Sequence, residues 1–120
     1  MDWSAPPRRT PTCPVEHTLL VVGGQWATLV VRELLGGRKR FGELRATLGA
    51  VSPKTLTEKL RRLESQGLVS RHAYAEVPPR VEYELTEQGH TLEPVLRALW
   101  EWGERDQLVG IATERARAGA

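Results

Sequence analysis

Apolar residues in the first part of the chain recur every three or four positions, which is the spacing of one buried helix face. Four successive segments carry this pattern, and proline or glycine residues mark their ends, as in capped helices. The segments are CPVEHTLLVVGG, QWATLVVRELLGG, RKRFGELRATLGA and VSPKTLTEKLRRLESQGLVSR. The pattern predicts four helices, with Pro14 at the first position of the first helix and Gly67 closing the fourth.

The fourth segment divides most clearly into an apolar and a polar face. Leu56, Leu60 and Leu63 recur at i, i+4 and i+7, which predicts one buried stripe. Ser52 suits the N-cap position, and Pro53 suits the first turn. The second and third segments predict similar stripes, made of Trp26, Leu29, Val30, Val31 and Leu34 in the second and of Phe41, Leu44 and Leu48 in the third.

After the fourth helix the period changes from helical to alternating. In RVEYELT, Val81, Tyr83 and Leu85 alternate with glutamates, and LVSRHAYAEV is also strand-like. The segment EVPPR between them predicts a turn stiffened by two prolines. Thr86 then predicts the cap of a long final helix, in which Pro94 either introduces a kink or marks where the helix proper begins.

This order of elements predicts an α+β fold that is mainly α. The third and fourth helices, joined by the short GAV segment, form a helix-turn-helix, and the hairpin that follows is a wing. Residues 1–12 are rich in proline and poor in apolar side chains, so we expect a flexible N-terminal arm. Residues 13–106 are expected to form one domain, and residues 107–120 a C-terminal helix extension or tail.

The polar flank of the fourth helix predicts a contact surface for double-stranded DNA. With Leu56 pointing inward and a turn of about 100° per residue, Lys54, Glu58, Arg61 and Ser65 point outward. In a helix-turn-helix the second helix lies in the major groove and leads with its N-terminal residues, and such side chains bond to base edges and phosphates. An ordinary solvated helix face is the alternative. The predicted DNA contacts of this helix are Ser52, Pro53, Lys54, Thr55, Thr57, Glu58, Arg61 and Arg62.

Basic residues outside this helix predict further contacts with the DNA backbone. Arg80 lies beside the stiff prolines of the wing tip, a position that suits a phosphate ridge or a minor groove. Its alternative role is an ion pair with Glu76 or Glu82. The residues that precede the third helix, and that could grip the backbone from another side, are Arg38, Lys39 and Arg40.

The net charge of +2 is unremarkable, but the charge is unevenly distributed along the chain. Residues 32–71 contain ten Lys or Arg against four Glu, whereas residues 81–106 contain two Arg against seven acidic residues. This polarity is typical of a basic face for a polyanion, although chance clustering would also produce it. There is no long apolar run and no apolar leader segment, so we expect a cytoplasmic protein without a membrane partner.

Several motifs closely resemble the HxlR-type winged helix-turn-helix regulators, which are relatives of the MarR group. They are CPVEHTLLVVGGQWATLVVRELLGGRKRFGELR, SPKTLTEKLRRLESQGLVSR, EVPPRVEYELTEQG and WEWG, and together they span about residues 13–106. The resemblance implies a homodimeric bacterial transcription factor whose additional N- and C-terminal helices form the dimer interface. The arm and the tail carry no family signature.

Large apolar residues near both ends of the domain fit this implied interface. Tryptophans late on a terminal helix of so small a domain suit a contact between subunits, although packing in the monomer core is the alternative for Trp100. A dimer would place two recognition helices about one DNA turn apart on a palindromic operator. The residues predicted to form the interface are Leu19, Leu20, Leu96, Leu99, Trp100 and Trp102.

The single cysteine, Cys13, precedes Pro14 at a predicted helix N-cap. A thiolate there would meet the positive end of the helix dipole, and His17 lies one turn later on the same face. Some relatives in the resembled family use a cysteine at this place to sense oxidants or electrophiles. The resemblance therefore implies a redox-sensing role, in which Cys13 could form only an intersubunit or mixed disulfide. A small structural cap is the alternative.

Other functions stay open at this stage. A winged fold also serves as a protein-interaction module, a small-molecule effector could bind at the dimer interface, and the direction of regulation is open, with repression favoured. A thiol enzyme built on Cys13 and His17 is disfavoured, since a helix cap leaves little room for a substrate. We expect no cofactor and no metal, because Cys13 and His17 with the distant His72 and His90 lack the spacing of a structural zinc site.

Overall fold

The computed structural model describes residues 13–24 and 26–105, and within them the predicted helices and hairpin are present. The predicted arm (1–12) and the predicted tail (107–120) lie outside the described residues. No helix in the described ranges is long and apolar enough to cross a membrane. The elements are α1 (Pro14–Val22), α2 (Ala27–Leu34), β1 (Lys39–Arg40), α3 (Phe41–Leu48), α4 (Pro53–Ser65), β2 (Val69–Tyr74), β3 (Arg80–Leu85), α5 (Glu87–His90) and α6 (Glu93–Gly103).

The fourth helix, α4, forms as its sequence predicts. The Ser52 hydroxyl accepts a hydrogen bond from the Thr55 amide at 3.1 Å, so one of the free N–H groups of the first turn is satisfied. Leu56, Leu60 and Leu63 are all buried and point into the core. Gly67, with φ of 75°, adopts the left-handed conformation that ends a helix at low steric cost.

The rest of the core confirms most of the predicted stripes. In α2, Val30, Val31 and Leu34 are fully buried, and in α3 the same holds for Leu44. The flanking members of the stripes are half-buried, which means that they cover the edge of the core. These flanking residues are Trp26, Leu29, Phe41 and Leu48.

The sheet has a strand that the sequence pattern did not predict. The strand order is β1-β3-β2 and both pairings are antiparallel. In the short β1, Lys39 lies opposite Tyr83 and Arg40 opposite Glu82. In the predicted hairpin, Tyr83 and Leu85 are buried and confirm the alternation in the second half of β3, whereas Val81 is half-buried like the neighbouring glutamates. The basic segment before α3 is therefore tied to the wing by backbone hydrogen bonds.

The predicted long C-terminal helix is interrupted. The Thr86 hydroxyl accepts from the Gly89 amide at 3.0 Å and caps α5, which ends after one turn at His90. A new helix, α6, begins at Glu93, and Pro94 occupies its first turn. Of the two alternatives for Pro94, the structure therefore supports the beginning of the helix proper. The chain divides into two compact units between α5 and α6, and each unit is described by itself.

Two helical glycines provide a matched test of this packing. A β carbon at Gly89 would overlap the Leu68 carbonyl oxygen and crowd Leu85, whereas a β carbon at Gly42 in α3 would meet nothing within 4 Å. We expect Gly89→Ala to destabilise the protein by about 1–3 kcal/mol, the usual cost of overpacking. Gly42→Ala should be neutral or stabilise by up to about 1 kcal/mol, because alanine has the higher helix propensity. Urea unfolding followed by circular dichroism measures both, and equal effects of the two substitutions would contradict this packing.

Candidate nucleic-acid interface

The polar face of α4 is exposed as its sequence predicts. Lys54, Glu58 and Arg61 are exposed on this face, opposite the buried leucines. Ser52 and Pro53 are exposed at its N-terminal end, and Thr55 and Thr57 are half-buried on its flanks. The structure therefore brings these predicted contact residues together along one helix, with the short side chains at the end that would lead into a groove.

Two cations on this face are free to contact a ligand. In the described part of the chain, neither Lys54 nor Arg61 has a recorded ion pair or side-chain hydrogen bond. The Ser52 hydroxyl, by contrast, accepts from the Thr55 amide and donates to the Thr55 hydroxyl at 3.0 Å. These two hydroxyls take part in the helix cap, whereas the side chains of Lys54, Glu58 and Arg61 are exposed to solvent.

Arg38 is engaged inside the protein rather than free for a phosphate. Its guanidinium donates to both oxygens of Glu84, at 3.0 and 3.4 Å, and to the Tyr74 hydroxyl at 2.8 Å. It also lies 3.7 Å from Glu82. The hydrogen bond between Arg38 and Glu84 lowers the pKa of that carboxyl and raises the pKa of the guanidinium. Arg38 thus joins the segment before α3 to both strands of the wing.

Arg80 takes the alternative role that its sequence context left open. Its guanidinium pairs with Glu76 at 3.2 Å and stacks over the Tyr74 ring, 4.2 Å from the ring centre. An open groove between the start of α3 and the wing is lined by Arg40 and Arg80, but also by Glu76 and Glu43. The carboxylates offset the positive charge there, so the groove attracts a phosphate less strongly than two arginines without neighbouring carboxylates would.

Arg62 also has an internal partner. Its guanidinium donates to the backbone carbonyl of Leu20, near the C-terminal end of α1, at 3.1 Å. The side chain therefore leaves the outward face of α4 and reaches sideways to another helix. Three of the predicted basic contacts therefore have partners within the chain: Arg38, Arg62 and Arg80. Within residues 13–24 and 26–105, no side-chain partner is recorded for the other four, which are Lys39, Arg40, Lys54 and Arg61.

Two further arginines are candidate contacts that the sequence reasoning missed. Arg45 on α3 and Arg71 on β2 are both exposed, and no ion pair is recorded for either in the described ranges. The sequence pattern around Arg45 was used only for its apolar stripe and that around Arg71 only for its alternation, so neither arginine was considered as a contact. Both lie in the basic region of residues 32–71, which could have indicated them.

Cys13 occupies the N-cap of α1, where the sequence predicts it. The residue is half-buried, and its side chain makes no capping hydrogen bond. Its carbonyl accepts from the His17 amide at 2.9 Å, which is the first hydrogen bond of the helix. The described residues contain no group of three His, Cys, Asp or Glu side chains placed to hold a metal ion.

The predicted interface residues are exposed on their own helices. On α1, Leu19 and Leu20 expose 59% and 45% of their surface, beside an exposed Val15. On α6, Leu99 exposes 50%, Trp100 and Trp102 each expose 56%, and Leu96 is half-buried. Trp100 thus exposes more than half of its surface on α6. Each of the two helices, taken by itself, carries exposed apolar side chains.

Comparison with known proteins identifies the family. A model of the HxlR-like helix-turn-helix family matches residues 21–108. The chain is 46% identical over 95 residues to the HTH-type transcriptional regulator YybR of Bacillus subtilis (strain 168), a match that covers 79% of this chain and 76% of that protein.

Solved structures of regulators share the fold. The redox regulator HypR is similar in its oxidised form (TM-score 0.73, 47% identity, covering 78% of this chain and 97% of that one) and in its reduced form (TM-score 0.76, 44% identity, covering 82% and 98%). The reduced transcriptional regulator YodB of B. subtilis is also similar (TM-score 0.69, 34% identity, covering 79% and 94%). With its helix-turn-helix, wing and exposed recognition face, the chain belongs to the HxlR-like helix-turn-helix family of DNA-binding transcriptional regulators.

Proposed function

We propose that two copies of this chain bind a palindromic operator, each with α4 in the major groove. The observation that carries the proposal is the exposed face of α4, on which Lys54 and Arg61 have no recorded partner within the described residues. Lys54, near the N-terminus of the helix, is placed to read a guanine edge, and Glu58, one turn later, can accept from a cytosine amino group. Arg61 lies further along and contacts a phosphate.

The exposed faces of α1 and α6 support the dimer in this proposal. Tryptophan is enriched among the residues that dominate interface energetics, and leaving large apolar side chains such as leucine and tryptophan in water is unfavourable. Each face is independently suited to a partner, with Leu19 and Leu20 on α1 and Leu99, Trp100 and Trp102 on α6. A two-fold dimer would present two copies of α4 to half-sites about 10 base pairs apart. Repression, by occlusion of a promoter, is the proposed outcome.

We also propose that oxidation of Cys13 changes the affinity for the operator. The half-buried thiol lies at the N-terminus of α1, and its side chain makes no capping hydrogen bond. The likeness to HypR, a redox regulator with solved oxidised and reduced forms, supports the same kind of control here. Because Cys13 is the single cysteine, two thiols of two chains lose two protons and two electrons to the oxidant and form an intersubunit disulfide. The alternative is an effector bound at the dimer interface, with Cys13 as a cap.

Lys54→Met and Arg61→Met should weaken DNA binding in different ways. For Arg61→Met we expect a uniform loss across sequences, and a slope of log affinity against log salt that is smaller by about 1.8, because each of the two subunits loses one phosphate contact. Lys54→Met should relax the preference at one base position by about 1–3 kcal/mol. The measurement is fluorescence anisotropy with duplexes selected by the wild-type protein from a random pool.

Arg32→Met is the matched control for both variants, because Arg32 lies on α2 and pairs with Glu33 at 3.5 Å. Its salt slope and base preference should equal those of the wild type. Failure of the wild-type protein to select any duplex, or salt-independent binding, would favour a protein-interaction module instead.

Trp100→Ala should weaken association between subunits. Truncating a large aromatic at the centre of an interface commonly costs at least about 2 kcal/mol, which corresponds to a dissociation constant about 30-fold higher. Sedimentation equilibrium over a range of concentrations measures this constant. Arg97→Ala, an exposed position on the same helix whose ion pair is internal to that helix, serves as the control and should have little effect. A protein that is monomeric at all concentrations, or a dimer indifferent to Trp100→Ala, would contradict the assignment of α6.

Cys13→Ser should make DNA binding insensitive to oxidants. Wild-type protein treated with diamide, which accepts the two electrons and two protons, should form a disulfide-linked dimer on a non-reducing gel. Its affinity for the selected duplex should change in parallel and recover with dithiothreitol. Cys13→Ser should show neither effect and should bind like the reduced wild type. Equal loss of DNA binding by Cys13→Ser and wild type under diamide would refute the sensor role.

A further inference from the structure

One flank of α4 reaches the C-terminal end of α1 through polar side chains. An α-helix leaves its last carbonyls without partners inside the helix, and α1 has no basic residue of its own in its last turn. Arg62 of α4 supplies a donor from a distant part of the chain, since its guanidinium bonds to the Leu20 carbonyl at 3.1 Å. The Gly23 amide satisfies the neighbouring Leu19 carbonyl at 2.7 Å.

A second cation of α4 meets the same end of α1. The Lys59 ammonium lies 3.3 Å from the point where a β carbon at Gly24 would stand. Lys59 and Arg62 are three residues apart, so they lie on one flank of α4. Both positive charges face the negative end of the α1 dipole, which is a favourable arrangement. This flank differs from the outward face of Lys54 and Arg61 and from the inward face of the leucines.

The Arg62 bond adds a directional contact to the burial of the leucines. Burial of Leu56, Leu60 and Leu63 sets which face of α4 points outward, and the bond to the Leu20 carbonyl ties one flank of that helix to the end of α1. A charge-assisted hydrogen bond depends on both distance and angle, so a shift of that carbonyl alters the contact with α4. Lys54 and Arg61 lie on the same helix and move with it.

We propose that Arg62, assisted by Lys59, is a positioning residue that couples the orientation of α1 to the DNA-reading face of α4. The helix at the other end of this link begins at Cys13 and exposes Leu19 and Leu20. Any rearrangement of α1, whether through a new disulfide or a change of partner, is transmitted through the Leu20 carbonyl to α4. The inference rests on the proposed function for its DNA readout, and it deepens that function by naming the link.

Linkage makes this coupling reciprocal, which gives a test that needs no oxidation. If the conformation of α1 changes the affinity of α4 for DNA by some factor, DNA binding must favour that conformation of α1 by the same factor. Such coupling factors are typically about 5-fold to 150-fold. Hydrogen–deuterium exchange of the wild-type protein, with and without the selected duplex, should show slowed exchange in α4 and also in residues 19–24. In Arg62→Met the slowing in α4 should persist, whereas the DNA-linked slowing in residues 19–24 should fall to less than about 2-fold.

Controls separate coupling from ordinary stabilisation and from loss of DNA contact. Arg61→Met should weaken DNA binding but keep the α1 response once saturated with duplex. Lys59→Met should partly reduce the DNA-linked slowing of exchange in residues 19–24. If thermal melting shows that Arg62→Met is unfolded, Lys59→Met takes its place as the test variant. Arg62→Met with an unchanged DNA-linked response in α1 would overturn the proposal. So would a drop in salt slope of about 1.8, since Arg62 would then contact one phosphate in each subunit of the dimer. Absence of α4 protection in the wild type would instead indicate failure of the proposed function.

Discussion

Burial of Leu56, Leu60 and Leu63 is the constraint on which the rest of the structure depends. A helix of 13 residues is marginal in water by itself, so α4 persists because this stripe is removed from solvent. Each fully buried leucine contributes about 1.5–3 kcal/mol of transfer free energy. The opposite face then need not contribute to stability, and Lys54, Glu58 and Arg61 can serve recognition.

The basic residues divide into two groups with different roles. Arg38, Arg62 and Arg80 bond within the chain, and each joins separate segments: the segment before α3 to the wing, α4 to α1, and the hairpin tip to its own strand. Lys54 and Arg61 are exposed on α4, and under the proposed function they contact DNA. A charge run that appears uniform in the sequence thus contains both a scaffold that orients the recognition elements and the contacts that they present.

The helices and the hairpin could be predicted because their signals are local. Ser52 and Gly67 mark the ends of α4 chemically, and the leucine period identifies its buried face without reference to the rest of the chain. The strand β1 could not be predicted, because a two-residue strand has no period and exists through pairing with Tyr83 and Glu82. The partner of Arg62 escaped prediction for the same reason, since Leu20 lies 42 residues away in the sequence. The interruption before α6 had local signals in Gly89 and Pro94, but the need for glycine comes from the nearby Leu68 carbonyl.

Photo-crosslinking from position 58 would test the central claim most directly. A photoreactive amino acid that replaces Glu58 on the outward face of α4 should crosslink to bases of the selected duplex, at two positions about 10 base pairs apart. The same probe at Glu87, exposed on α5, should give few base crosslinks. Crosslinks from position 58 that join protein to protein, or that are no more frequent than those from position 87, would contradict the assignment of α4 as the helix that reads DNA.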